Sequence, residues 1–201
     1  MKTALYLAHL NPVTNAHIEI IDELKKKADT VKVMPVVFKM NNVEINSKSF
    51  PFDFKVRKKM LESVFGNSIV ITDDYAFFAP FKKYFPPLLA PKSWELRKKV
   101  LNGVTGEFFS YTGDKAEGIM LRIYRLRPQV GQRKKLSAAS VKEKMYDAAL
   151  GRDTNWKLSV TKSIADIIEE EWKTVTKYAR SEDMTTRIAG MKFPKEGWAS
   201  K

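Results

Sequence analysis

The stretch YLAHLNPVTNAHIEII, residues 6–21, passes from an apolar run through an Asn-Pro corner into a segment with helical spacing. The run that enters it, TALYLA (3–8), is short, apolar and bounded by turn formers, which is the pattern of a buried strand. Beyond the corner, Ile18, Ile20, Ile21 and Leu24 recur near helical spacing, with Asp22 and Lys25 to Lys27 on the other side. A strand that turns directly into a helix sets unpaired backbone N–H groups and the positive end of the helix dipole at the turn, an arrangement that attracts anions. His17 lies in that first helical turn, where an imidazole can donate to a phosphate. Thr14 or Asn15 can cap the same helix, so the residues TNAH also read as a plain helix start.

The same alternation continues along the chain. TVKVMPVVF (30–38) is predicted as a second strand, and FDFKVRKKMLESVFG (52–66) as a helix with Val56, Met60, Leu61 and Val64 on one face and Gly66 as its stop. SIVITDD (68–74) gives a third strand, and GEFFSYTGD (106–114) a fourth. Between them, residues 77–103 are aromatic and broken by proline before turning helical from about Lys92. KAEGIMLRIY, SAASVKEKMYDAAL (137–150) and SIADIIEEEWKTVTKYA (163–179) supply further helices. Strand and helix in alternation predict an α/β fold, a Rossmann-like three-layer α/β/α sandwich with a mainly parallel sheet of about five strands. Ligands of such sheets bind at the carboxyl ends of the strands, which directs attention to the corners after residues 8, 38 and 112. We expect one domain over residues 1–180 and a peripheral basic tail over 181–201.

Composition narrows the chemistry. The chain has 201 residues, 44% hydrophobic and 29% charged, as expected of a protein that folds around a core. It has no cysteine and two histidines, His9 and His17, which removes thiolate catalysis and leaves too few ligands for a His-rich metal site. No apolar run approaches a membrane span and the N-terminus lacks a signal-peptide pattern, so we expect a cytoplasmic protein with no membrane partner. The net charge of +13 points to an anionic partner, a phosphate-bearing small molecule or nucleic acid, with a solvated surface that serves solubility as the remaining alternative.

The corner and three later segments together resemble a known family. AHLNPVTNAHIEII is similar to the GxFxPxTxGH signature of the nucleotidylyltransferase superfamily, which includes the nicotinamide mononucleotide, phosphopantetheine and cytidylyl enzymes. PFDFKVRKKMLESVFG resembles the family's helix after the second strand, with Pro51, Phe52, Arg57 and Met60 in place. YTGD resembles its Gly-x-Asp corner, and LSAASVKEKM its phosphate-binding ISSTxxR motif, with Leu136, Ser137, Ser140, Val141 and Lys142 aligned. The four segments occur in family order between residues 3 and 172.

The resemblance implies transfer of a nucleotidyl group, adenylyl from ATP in first place and cytidylyl as the alternative, to a phosphorylated small acceptor with release of pyrophosphate. Nicotinamide mononucleotide is the first acceptor, which would put the chain in NAD biosynthesis. Magnesium is implied with the triphosphate, with no metal ligand assigned to the protein. His17 and Thr14 would contact triphosphate oxygens, Ser137 and Lys142 would hold the β- and γ-phosphates, and Lys39 would orient the acceptor phosphate. The nucleotide-binding corners would include Ala8, His9, Leu10, Asn11, Gly113, Asp114 and Ser140. This chemistry needs positioning and charge neutralisation and no protein nucleophile. Three departures stand against the pattern. Ala8 and Ala16 replace family glycines, where each added methyl would crowd the backbone approach to a nucleotide and would cost about 1 to 2 kcal/mol if the position needs a left-handed backbone. Lys142 replaces an arginine and loses its bidentate fork. Ala138 and Ala139 replace hydroxyl-bearing residues. A catalytically degenerate member that binds a nucleotide or nucleic acid is therefore a second reading.

Three further features stay open at the level of sequence. The acid-free run RIYRLRPQVGQRKK (122–135) reads as a lip for triphosphate, as a nucleic-acid contact with Tyr124 stacking, or as a solvated connection. Asp73 and Asp74 read as a metal site or a strand-ending turn. The aromatic stretch 77–85 with Trp94 reads as an acceptor pocket or as packing under a loop.

Overall fold

The computed structural model describes residues 1–113, 115–132, 134, 136–152, 154–188 and 191–198. In chain order, the first half contains β1 (Lys2–Ala8), α1 (Asn15–Lys25), β2 (Thr30–Pro35), β3 (Val37–Met40), β4 (Val43–Glu44), α2 (Phe54–Phe65), β5 (Val70–Ile71) and β6 (Ala76–Phe78). The second half contains α3 (Pro91–Val100), β7 (Glu107–Thr112), α4 (Lys115–Ile123), β8 (Pro128–Val130), α5 (Ala138–Ala149), α6 (Lys162–Glu170), α7 (Trp172–Ala179), β9 (Thr185–Ile188) and β10 (Met191–Pro194). Five strands form one sheet in the order β5-β2-β1-β7-β8, every pairing parallel. The fold is the expected Rossmann-like α/β sandwich.

Alternation along the strands sorts the layers. Ala4 and Tyr6 of β1, with Val31 and Val33 of β2 and Phe109 and Tyr111 of β7, enter a core that α1, α2, α5, α6 and α7 complete. Leu5, Leu7 and Met34 point to the opposite face, where Val100 of α3 and Leu121 of α4 cover them. Both faces of the sheet are thus covered, which is why these strands read as continuous apolar runs. Lys32 interrupts the second face. Its ammonium is buried there, paired with Asp74 at 2.7 Å and donating to the carbonyls of Val100 and Asn102.

Three differences from the sequence reading have physical causes. The single strand predicted over 30–38 changes sheets at Val36: β2 ends on Pro35, which has no N–H for the ladder, while Val36 donates to the carbonyl of Ala8 and β3 joins a second, three-stranded sheet, β4-β3-β6. The basic run predicted as a lip, a contact or a connection contains an edge strand. Pro128 opens β8 where a strand tolerates proline, and Leu126 just before it is buried. Residues 181–201, expected as a loosely held tail, include the antiparallel hairpin β9–β10. Phe193 is fully buried among Phe38, Phe77, Phe81, Phe85 and Trp198, and a Cβ at Gly197 would lie 2.3 Å from the Phe81 ring. This aromatic cluster packs the hairpin onto the small sheet. No helix among the described residues is long and apolar enough to cross a membrane.

Candidate functional site

β1 is the centre of the sheet, flanked by β2 on one side and β7 on the other. The chain leaves β2 to the left and β7 to the right, so the crevice at the carboxyl end of β1 is where an open sheet of this kind admits a ligand. The corner there is held from three directions. The side chain of Asn11 clasps the backbone of Phe52, its Nδ2 donating to the carbonyl at 2.7 Å and its Oδ1 accepting from the N–H at 3.2 Å. Arg57, only 2% exposed, donates to the carbonyls of His9 (2.9 Å) and Val36 (2.7 Å) and pairs with Glu44 at 2.7 Å, which fixes the ends of β1 and β2 side by side. Lys142 of α5 donates to the carbonyl of Asn11 at 2.7 Å.

Backbone strain at the corner falls on an unexpected residue. Among the described residues, the non-glycine positions with positive φ are Leu10, Asn41, Asn42, Arg125 and Arg127. Neither Ala8 nor Ala16 is left-handed, so the methyl groups that replace the family's glycines carry no such cost. Leu10, at φ 48°, carries it instead, with its side chain fully buried in the core.

Thr14 caps α1, and its N–H donates to Nδ1 of His17 at 3.0 Å. An Nδ1 that accepts leaves the ring proton of the neutral imidazole on Nε2. Burial, then the nearby Lys142 charge, lowers the His17 pKa to about 4, so the ring stays a neutral donor across the physiological range. Ser137 caps α5 through its side chain, its Oγ accepting from the Ser140 N–H, while the Ser140 hydroxyl donates back to the Ser137 carbonyl. Two helix N-termini therefore meet at one cleft, α1 through Ala16 and His17 and α5 through Ser137 and Ala138.

The cleft has a volume of about 600 Å³, inside the range that accommodates a nucleotide-sized ligand. Its lining combines polar groups from His9, His17, Gly113, Ser137 and Lys134 with the rings and side chains of Tyr75, Phe77, Tyr84, Phe85, Leu121 and Tyr124. Arg97 and Arg187 add positive charge to the wall and Glu117 negative charge. Thr112 donates to Glu117 at 2.5 Å, and the Arg97 Nε donates to the Tyr124 carbonyl at 2.5 Å. His9 stacks on Phe50 with ring centroids 4.7 Å apart, and its buried Nδ1 has no protein partner. Burial, with the positive charge of Lys142, Arg57, Lys192 and Arg187 around it, lowers its pKa to about 3.

The structure brings together most of the residues singled out from sequence, but not all. Ala8, His9, Leu10, His17, Gly113 and Ser137 line the cleft. Thr14, Asn11, Ser140 and Lys142 support it from behind: Thr14 orients His17, Ser140 closes the first turn of α5, and the Lys142 ammonium is directed at Asn11. Lys39, expected to orient an acceptor phosphate, does not line the cleft. It lies on β3, paired with Asp73 at 2.9 Å and over the Phe78 ring. Asp114 lies outside the described residues. Asp73 and Asp74 are lysine partners, and among the described residues no group of three or more His, Asp or Glu side chains gathers to hold a metal. In the aromatic stretch, Phe77, Tyr84 and Phe85 line the cleft and also pack in the small-sheet core. In the basic run, Lys134 bridges to Glu19 and Glu23 of α1, and Arg127 lies over the Phe108 ring. Sequence reasoning missed Arg97, Glu117 and Arg187, none of which belongs to a motif.

The family model described as cytidylyltransferase-like matches residues 6–188. No curated protein sequence matches the chain. Among solved structures, the chain is similar to a bifunctional NMN adenylyltransferase/ADP ribose pyrophosphatase from Francisella tularensis, with a TM-score of 0.58 at 17% identity over 85% of this chain and 53% of that one. The same Francisella protein complexed with AMP and a manganese ion gives a TM-score of 0.54 at 15% identity, over 85% and 52% of the two chains. The nicotinic acid mononucleotide adenylyltransferase of Plasmodium falciparum, complexed with NaAD, gives 0.55 at 12% identity, over 86% and 98%. The chain thus spans about half the length of the Francisella protein, and likeness at these identities is likeness of fold.

Proposed function

The chain belongs to the cytidylyltransferase-like family, and on that premise we propose that it is a nucleotidylyltransferase that moves an adenylyl group from ATP to a phosphorylated small acceptor, with nicotinamide mononucleotide first, releasing pyrophosphate. The observation that carries the reading is the meeting of the α1 and α5 N-termini at one cleft beside the neutral, Nε2-protonated ring of His17. In the reaction an oxygen of the acceptor phosphate attacks the α-phosphorus as the bond to the bridging oxygen breaks, so pyrophosphate leaves with the electron pair and no proton need be removed from the acceptor.

The work left to the protein is to hold the β- and γ-phosphates while their charge grows. His17 donates from Nε2, the first-turn N–H groups of α1 and α5 point their dipoles the same way, and the Lys142 charge acts at close range while its bond to Asn11 keeps the corner in shape. Magnesium would enter on the triphosphate. With no carboxylate cluster among the described residues, its coordination falls to phosphate oxygens and water.

The test is pyrophosphate release from ATP and CTP, with magnesium, against a panel of phosphorylated acceptors. The reading expects release with at least one acceptor and its loss in His17→Ala. Binding of triphosphate without any release would favour the degenerate, nucleotide-binding reading; salt-sensitive binding of nucleic acid with no stabilisation by triphosphates would favour a nucleic-acid binder.

A further inference from the structure

β1 divides the cleft. Tyr6 and Leu7 are consecutive on that strand and point to opposite faces of the sheet, yet both line the cavity. The cavity therefore passes round the carboxyl end of β1 and opens on both faces. On the first face lie α1 and α5, with His17 and Ser137. On the second lie α3 and α4, which contribute Arg97, Val100 and Leu121 to the lining. A triphosphate held by the first pair of helices leaves the second pair to the acceptor.

The second side is walled by apolar groups, Leu7, Val100, Leu121 and Leu126, each buried in the core that covers this face. The Lys32 ammonium under it is fully engaged by Asp74 and the carbonyls of Val100 and Asn102, and Lys32 does not line the cleft. Arg97 does line it, and is half-buried. Its guanidinium is anchored at one corner, where Nε donates to the Tyr124 carbonyl at 2.5 Å. Because α4 ends at Ile123, that carbonyl is not taken by the helix. Tyr124 lines the cleft as well, so the bond holds the guanidinium at the cavity wall. Among the described residues no carboxylate stands within ion-pair distance of Arg97, and neither Nη1 nor Nη2 has a protein partner. The carboxylate that lines this cleft, Glu117, accepts from Thr112 at the end of β7. One nitrogen of the guanidinium is thus spent on orientation, and the two terminal nitrogens remain as a fork.

We propose that Arg97 determines specificity on the acceptor side of the cleft, its two terminal nitrogens taking the paired oxygens of an acceptor oxyanion, phosphate or carboxylate. Both groups match the planar fork, and apolar walls strengthen such a contact by lowering the local dielectric. The proposal rests on the nucleotidyl-transfer reading for the word acceptor, but the fork takes an oxyanion whether or not transfer follows. It gives α3 the recognition of the second substrate, while α1 and α5 keep the triphosphate.

The experiment is calorimetric binding without turnover on the full chain and on Arg97→Ala and Arg97→Lys. The probes are nicotinic acid mononucleotide, nicotinamide mononucleotide and a non-hydrolysable ATP analogue. Loss of one charge-assisted pair predicts that Arg97→Ala weakens nicotinic acid mononucleotide at least about tenfold and the analogue less than about threefold. Arg97→Lys, which keeps the charge without the fork, should fall between wild type and alanine. An equal loss for nicotinamide mononucleotide assigns the fork to the phosphate, and a loss confined to the acid assigns it to the carboxylate. The proposal is overturned if neither mononucleotide loses about tenfold, if the analogue loses as much as they do, or if wild type binds neither. Absence of pyrophosphate release in wild type, with the Arg97 effect intact, would remove the transfer reading and leave the oxyanion site standing.

Discussion

Lys142 and Asn11 are 131 residues apart in sequence and joined by a hydrogen bond of 2.7 Å, Nζ to carbonyl oxygen. That bond ties α5 of the last phosphate motif to the loop of the first, and makes the two halves of the proposed triphosphate site one object. It also explains why a lysine can stand where the family pattern has arginine. A single donor reaches the carbonyl, and its charge is felt at His17 without a fork.

Burial, with Lys192 nearby, lowers the Lys142 pKa from the ordinary 10.5 to about 8. A lysine with a depressed pKa loses its charge as pH rises through the lower value, so triphosphate affinity should decline above about pH 8 in wild type. Lys142→Arg, always charged, should bind with a flat profile over the same interval. Titration of a non-hydrolysable triphosphate at several pH values in both proteins checks this; parallel profiles would remove Lys142 from the binding energetics.

His9 and His17 both have pKa values depressed by burial, to about 3 and about 4 from 6.5. The unfolded chain therefore binds protons that the folded one refuses. Stability is intact above pH 6.5 and is lost as pH falls toward 4. His9→Phe, which keeps an aromatic ring against Phe50, should flatten part of this decline in melting temperature. Calorimetric scans from neutral to acid pH measure it, and equal slopes in the two proteins would contradict the assignment.

Arg57→Ala should cost about 3 to 5 kcal/mol, because it leaves Glu44 partly buried without its partner and frees the carbonyls of His9 and Val36. Denaturant unfolding reads the cost. Glu44→Gln should cost much less, since the guanidinium keeps its two carbonyl acceptors.

Phe193→Ala should destabilise by about 3 to 5 kcal/mol, the usual loss for a fully buried phenyl ring. A loss near zero in urea unfolding would return residues 181–198 to the status of a peripheral tail.

The sheet was legible from residues 3–8, 30–35 and 107–112 because strands covered on both faces leave uninterrupted apolar runs, and the first corner was legible because its strand, proline and histidine are contiguous. What escaped was set by contacts distant in sequence. The turn of the chain at Val36 depends on Ala8 and Arg57, and the burial of Phe193 on an aromatic cluster drawn from β3, β6 and the turn at Phe81. Lys39 looked well placed just past a strand; that strand belongs to the second sheet, which carries Lys39 to Asp73 and away from the cleft. The two alanines looked costly because the family has glycine there, yet the backbone takes its left-handed step at Leu10. Ala16→Gly should accordingly lower stability by about 1 kcal/mol, as glycine does inside any helix, with no backbone strain there to relieve.

The most direct test is a crystal structure of the protein with magnesium and a non-hydrolysable ATP analogue. The account predicts the β- and γ-phosphates between the His17 ring and the first turn of α5 at Ser137, with Nε2 as donor. Phosphates bound elsewhere, with that corner left to solvent, would contradict it.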